Sequence, residues 1–193
     1  MAEAPVITGS LVRLRPPRLD DAERMTALLQ DSRVIEHLDR WAWPPYTIDK
    51  AVAWIEGTAG PGTNVSWAIE CLADGAYIGN TGLDRLDTDN RRCSWGIWIA
   101  PPDRWGHGYG SEACTLAIGH AFSALGLEKV ILDVYAGNDR ARHVYEKAGF
   151  AVEGFRRRHH WNGRELIDLE EMAVFADNPL YAHRADGRAS AGS

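Results

Sequence analysis

The chain has 193 residues, 45% hydrophobic and 25% charged, which is globular composition at the length of one domain and excludes disorder as the main state. With 27 acidic against 21 basic side chains the formal charge is −6. This argues against nucleic-acid binding through bulk positive charge and requires that an anionic ligand be met locally.

Three widely spaced cysteines, Cys71, Cys93 and Cys114, form no C-x-x-C pair. They support neither a disulfide framework nor a metal site, and they point to a cytoplasmic compartment. Met1 to Ser10 has no basic segment ahead of an apolar stretch, and no run approaches the roughly 18 apolar residues of a membrane helix. A soluble, unprocessed protein with no membrane partner is expected.

Residues 1–9 and 182–193 read as flexible flanks around a single domain at 10–181, with strand and helix patterns alternating between them. Leu11 to Arg15 forms a first strand. Asp20 and Glu23 have the spacing of a capping box, ahead of a helical face of Ala22, Met25, Leu28 and Leu29. Pro44-Pro45 interrupts, Trp41-Ala42-Trp43 is an aromatic loop, and Thr47 caps a second helix through Ile55. Val65 to Cys71 alternates at period two and turns at Asp74-Gly75 into a strand from Tyr77 to Asp87, followed by another from Ser94 to Ala100. Gly106-His107-Gly108-Tyr109-Gly110-Ser111 leads into a helix that buries Cys114, Ala117, Ile118, Ala121 and Phe122. Lys129 to Tyr135 is a central strand, Asn138 caps a helix ended by Gly149, and a final hairpin turns at Asn162-Gly163 as a two-residue type I′ turn.

The glycine loop is the first place for chemistry, because glycine lets backbone approach a ligand and a helix start offers unpaired N–H groups to a phosphate. A tight turn without a ligand is the alternative. Gly108-x-Gly110-x-x-Ala113 fits a dinucleotide fingerprint, but Pro101 to Gly106 separates it from its strand. No Gly-Lys-Ser/Thr triplet exists for a Walker loop.

Three ordered blocks carry a more specific likeness: Trp105-Gly106-His107-Gly108-Tyr109-Gly110-Ser111-Glu112-Ala113, then Asn138, then Val144-Tyr145-Glu146-Lys147-Ala148-Gly149-Phe150. With them the chain resembles the GNAT N-acetyltransferase family, and within it the ribosomal-protein N-terminal acetyltransferase (RimJ/RimL) type, from about Leu11 to Phe175. The resemblance implies an α/β (α+β) fold, a mixed, mostly antiparallel twisted sheet of about seven strands with about four helices, splayed at the acetyl-CoA site. It also implies acetyl-CoA as co-substrate, with no metal.

In this resemblance the amides of Trp105, Gly106, His107, Gly108, Tyr109, Gly110 and Ser111 hold the CoA diphosphate, Trp98-Ile99-Ala100 pairs with pantetheine, and Asn138 reaches the pantetheine arm. The family's Gln/Arg at the head of the loop falls on Trp105. Arg104, Arg140, Arg142 or His143 are candidates to supply phosphate charge instead, with solvated surface charge as the alternative. Tyr145 is the catalytic candidate, a phenol that gives a proton to the departing thiolate, although a core aromatic is the competing reading. Ala141 stands where this branch often has serine.

An amine nucleophile also needs a base. Alternation lets at most one of His159 and His160 face the site, and alignment to the family's hairpin, whose strand edge borders the acceptor groove, prefers His159, with exposed strand histidines beside Arg156-Arg157-Arg158 as the alternative. Glu112 favours the positive end of its helix, and the amide near Ile99 is a candidate oxyanion donor. Trp41, Trp43, Tyr46 and Trp54 sit where the family builds its acceptor wall, with plain core packing as the alternative, more so for Trp54 on its helix than for the loop aromatics. The expected function is acetyl transfer to a peptide or protein α-amine by direct attack in a ternary complex. A polyamine or aminoglycoside-like acceptor is the enzyme alternative, a non-catalytic acyl-CoA sensor is the alternative of another class, and a homodimer is a possible assembly.

Overall fold

The structure, a computed structural model, describes residues 4–58 and 64–185. The strands are β1 (Ile7–Thr8), β2 (Val12–Arg15), β3 (Val65–Cys71), β4 (Tyr77–Asp87), β5 (Arg92–Ile99), β6 (Lys129–Tyr135), β7 (Ala151–Trp161) and β8 (Leu166–Phe175). The helices are α1 (Asp21–Leu28), α2 (Ser32–Ile35), α3 (Ile48–Thr58), α4 (Tyr109–Ser123), α5 (Asp139–Lys147) and α6 (Pro179–Ala185). The strands hydrogen-bond in the order β1-β2-β3-β4-β5-β6-β8-β7. The sheet is mostly antiparallel, and β5 with β6 is a parallel pair. No described helix is long and apolar enough to cross a membrane.

Of the stretches read as loose flanks, residues 1–3 and 186–193 lie outside the described residues. Ile7–Thr8 pairs with Leu14 and Arg13, and α6 buries Tyr181 completely, its hydroxyl donating to the Ala148 carbonyl at 2.9 Å. The chain falls into two compact units, Met1–Gly82 with Gly96–Ala113, and Leu83–Trp95 with Cys114–Ser193.

In the first unit, alternation puts Val12 and Leu14 of β2 and Val65, Trp67, Ile69 and Cys71 of β3 in the interior. Arg15 is buried beside them because its guanidinium is fully partnered, bidentate to Asp21 at 2.7 and 2.8 Å and bonded to Glu70 at 2.8 Å. Asp21 hydrogen-bonds most strongly and raises the Arg15 pKa above its ordinary value. Removing one partner of such a buried pair costs about 3–5 kcal/mol. Asp21 also accepts from the Arg18 N–H at 2.7 Å. The expected capping box at Asp20 is not formed: Asp20 makes no side-chain cap bond, its backbone already being helical at φ −64° and ψ −18° rather than extended as a cap needs. Asp31 starts the short α2 by accepting from the Arg33 N–H, and Thr47 accepts from the Lys50 N–H at 3.4 Å at the start of α3. A core of Ala22, Met25, Leu28, Leu29, Tyr46, Ala51, Ile55, Trp98 and neighbours fills the unit.

In the second unit β6 pairs with β8 along all seven residues, from Lys129↔Phe175 to Tyr135↔Leu169. Beyond β8, β7 is irregular: from Arg156↔Leu169 to His160↔Ile167, four steps along β7 face two along β8. The extra chain is a bulge, with Arg158 at φ +49° and its N–H on the Asp168 carboxylate at 2.7 Å. The closing turn corrects the two-residue expectation. Trp161↔Leu166 is the last pair, so four residues connect the strands, and the Asn162 side chain accepts from the Arg164 and Glu165 N–H groups. An Asx turn therefore replaces type I′ here.

Candidate active site

The end of β5 belongs to the first unit, and three contacts fix which way its backbone faces. The Gly96 carbonyl accepts from the Thr81 hydroxyl at 2.9 Å, and the Ala100 N–H donates to the Ile78 carbonyl at 2.8 Å. Trp98 packs its carbonyl so closely on Gly79, at φ +149°, that a Cβ there would collide with it. Gly96, Trp98 and Ala100 thus face β4, and the pleat turns Ile97 and Ile99 to the opposite edge. Along β5 the ladder to β6 is Arg92↔Lys129, Cys93↔Val130 and Ser94↔Ile131, and it ends there. The Ile99 carbonyl accepts the Trp105 indole N–H at 2.7 Å, which leaves the Ile99 N–H as the donor on that edge. Trp98 itself is core, its ring edge-on to Tyr77, and its backbone, like that of Ala100, is turned to β4 and away from the open edge.

After a 3₁₀ turn at Pro102–Arg104, Gly106 (φ +81°) and Gly108 (φ +87°) take left-handed conformations. Such alternation turns successive N–H groups toward one point, and α4 adds its own, since its first backbone bond runs from the Glu112 N–H to the Gly108 carbonyl. The Tyr109 and Gly110 N–H groups precede that bond. No atom lies within 4 Å of where a Gly106 Cβ would stand, so the loop is not closed by its own packing. This geometry suits an anion of diphosphate size.

The side chains around the loop are otherwise engaged. Arg104 donates to Asp74 at 2.6 Å and to the Cys71 sulfur at 3.6 Å. That pairing raises Arg104 and holds Asp74 below the usual carboxylate range. The Tyr109 phenol is pushed up chiefly by its hydrogen bond with Cys71, and its ring lies 6.0 Å from His107. Glu112 does more than complement the helix dipole: its carboxylate accepts the N–H groups of Ser10, Leu11 and Val12 at 2.8, 2.7 and 2.8 Å. A Cβ on Gly9 would stand 2.6 Å from that carboxyl.

In the second unit Asn138 caps α5, its Oδ1 accepting from the Ala141 N–H at 3.2 Å. The cap consumes the acceptor and leaves the amide NH2 for a ligand carbonyl. Tyr145 lies edge-on to Trp95 at 5.5 Å and 6.2 Å from Phe150. Burial pushes its phenol well above the ordinary tyrosine value, so it stays protonated at neutral pH, and no described residue hydrogen-bonds its hydroxyl. Arg142, expected to meet phosphate, is bound by Glu146 at 3.1 Å and Glu170 at 3.3 Å. Burial lowers Arg140, and His143 is exposed.

His159 lies within the bulged stretch, and pairing with β8 resumes at His160. His159 is exposed, whereas His160 stacks on Tyr135 at 4.3 Å, so the imidazole packed on the sheet is His160. Of the expected acceptor wall, Tyr46 is core at 5% exposure with its hydroxyl on the Met25 sulfur. Arg40 covers the Trp43 ring at 5.7 Å, and Trp41 is exposed. Trp54 packs against the core as its helical position implies. Trp95, Asp74 and Glu170 were not foreseen. Trp95 alternates with Cys93 in a strand pattern, which predicts burial and says nothing of its partner. The described residues include no cluster of three or more His, Cys, Asp or Glu arranged for a metal.

Residues 12–151 match a family model described as an acetyltransferase (GNAT) domain. Spermidine N(1)-acetyltransferase of Escherichia coli (strain K12) is 30% identical over 122 residues, 63% of this chain and 64% of that protein, so the match spans less than two thirds of the relative. YdaF of Bacillus subtilis (strain 168), provisionally named as a ribosomal N-acetyltransferase, is 33% identical over 149 residues, 74% of this chain and 78% of its own length. Spermidine N-acetyltransferase from Vibrio cholerae, solved with CoA and spermine, has a TM-score of 0.77 at 22% identity, covering 86% of this chain and 96% of its own.

Proposed function

The chain belongs to the GNAT acetyltransferase family, and from that premise we propose that it transfers the acetyl group of acetyl-CoA to a primary amine by direct attack. The observation that carries the reading is the left-handed Gly106 and Gly108 pair running into α4. Here the loop amides take the diphosphate, Ile97 offers strand-edge groups to pantetheine, and the Asn138 amide donates to its arm. The amine lone pair forms the C–N bond at the thioester carbon, and the carbonyl oxygen gains charge opposite the Ile99 N–H. As the C–S bond breaks, Tyr145, held protonated by its burial, gives its proton to the thiolate. The ammonium proton passes to His160, the imidazole stacked on Tyr135, and on to solvent. The buried Cys71, Cys93 and Cys114 are unsuited to a covalent acyl intermediate.

For the acceptor, the reading supported first is a small polycationic amine. The named polyamine acetyltransferases are similar in sequence, and the chain is acidic overall. The second reading is a peptide or protein α-amine in the RimJ/RimL manner, which rests on the likeness to YdaF. Release of free CoA thiol, followed with spermidine, spermine, aminoglycosides and N-terminal peptides, decides between them. Polyamine turnover well above the peptides is expected. Peptide turnover alone reverses the order, and tight CoA binding with no turnover on any member makes the chain a sensor.

A further inference from the structure

We infer that Trp105 is a positioning residue for the acyl carbonyl, acting through the Ile99–Ala100 peptide rather than by touching phosphate. This rests on the acetyltransferase reading and adds to it. The Ile99–Ala100 peptide unit is held at both ends: its carbonyl accepts the Trp105 indole N–H at 2.7 Å, and its N–H donates to the Ile78 carbonyl at 2.8 Å. A peptide group is planar, so two opposed hydrogen bonds set its orientation. The preceding unit, which carries the Ile99 N–H, shares the Ile99 Cα and is held in turn by the close packing of the Trp98 carbonyl on Gly79.

Trp105 is anchored well enough to do this. Its ring packs against the core cluster that contains Trp98 and Ala100, and it follows directly on the turn at Pro102–Arg104 whose Pro102 carbonyl accepts the Trp105 backbone N–H at 3.1 Å. An indole has a single N–H and no acceptor, so this donor, spent on Ile99, is unavailable to a diphosphate. Two consequences follow. The diphosphate is bound by main-chain groups of the loop, and the pantetheine arm registers on the Ile97 groups, which leaves the Ile99 N–H for the acyl carbonyl because the Ile99 carbonyl is already taken. An edge that would otherwise alternate donors and acceptors presents a lone donor at Ile99, which is the polarity an oxyanion needs.

The test compares wild type with Trp105→Phe, which keeps a ring and removes the N–H, and Trp105→Gln, which restores a donor on a flexible stem. Calorimetry of acetyl-CoA binding to wild type comes first: no binding there sinks the acetyltransferase reading itself. With binding present, kcat, the acetyl-CoA KM and the infrared stretch of carbonyl-13C-labelled acetyl-CoA are measured for all three. Trp105→Phe is expected to lower kcat by about tenfold, the scale of a slightly misplaced donor, with the acetyl-CoA KM within about twofold. The bound thioester stretch should move back toward its value in water, and Trp105→Gln should recover part of both effects. A stretch and a kcat equal to wild type in Trp105→Phe, or a loss confined to KM, overturns the inference. If Trp105→Phe does not fold, the stretch in Trp105→Gln decides: a position between wild type and the free thioester supports the inference and one equal to wild type overturns it.

Discussion

The loop at Gly106–Ser111 and the hairpin of β7 and β8 make an instructive pair. In the loop the chemistry belongs to the backbone, and glycine spacing announces it because only glycine takes φ near +80° at little cost. In the hairpin the chemistry depends on which way a side chain points. Period-two alternation admits only one of two adjacent histidines to a face and does not say which. The extra chain around Arg158 adds an even number of residues between Arg156 and His160, so those two keep one face, and it is His160, not the preferred His159, that stacks on Tyr135. Backbone sites survive errors of register, and side-chain sites do not.

The contrast can be pressed from its strongest point. Gly79→Ala puts a Cβ into the Trp98 carbonyl at a φ that L-residues avoid, and a loss of about 3 kcal/mol or more in denaturant unfolding is expected. A loss under 1 kcal/mol means that β4 and β5 are not held as described. On the side-chain part of the site, Tyr145→Phe should cut kcat about 10²-fold and leave CoA affinity unchanged by calorimetry. Because burial raises the Tyr145 pKa, its acid form persists past the ordinary phenol value of about 10. The alkaline fall of wild-type kcat through this group therefore lies above that pH, and a fall centred below it removes Tyr145 as the acid.

Smaller effects separate the remaining roles. Glu112→Gln weakens the tie between the turn at Ser10–Val12 and the first turn of α4, at about 1–2 kcal/mol of stability. It should raise the acetyl-CoA KM several-fold without changing the amine KM, whereas equal changes in both refute a local role. Last, His160→Ala should lower kcat/KM for the amine several-fold, while His159→Ala should leave it within about twofold of wild type. The reverse pattern returns the base to His159.

Much of the fold was legible because its cues are local. The apolar period of β3, the β-branched run of β6, the Asn138 cap and Gly149 at φ +87° each act within a few residues. What stayed hidden depends on partners distant in sequence. Nothing near Arg104 reveals that Asp74 neutralises it, nothing near Arg142 points to Glu170, and Tyr46 looks like a loop aromatic until the Met25 helix is folded over it. The short α2 escaped because four residues carry no measurable period.

The placement of the three thiols has a practical side. Cys71, Cys93 and Cys114 are all buried and unpaired, and burial lifts the Cys93 thiol to about 12 and Cys114 higher still. A disulfide reagent added to the native enzyme should therefore count only sulfhydryls released from coenzyme, with no background from the polypeptide. In denaturant the same reagent should register three further equivalents per chain, so the molecule carries an unfolding indicator that needs no label.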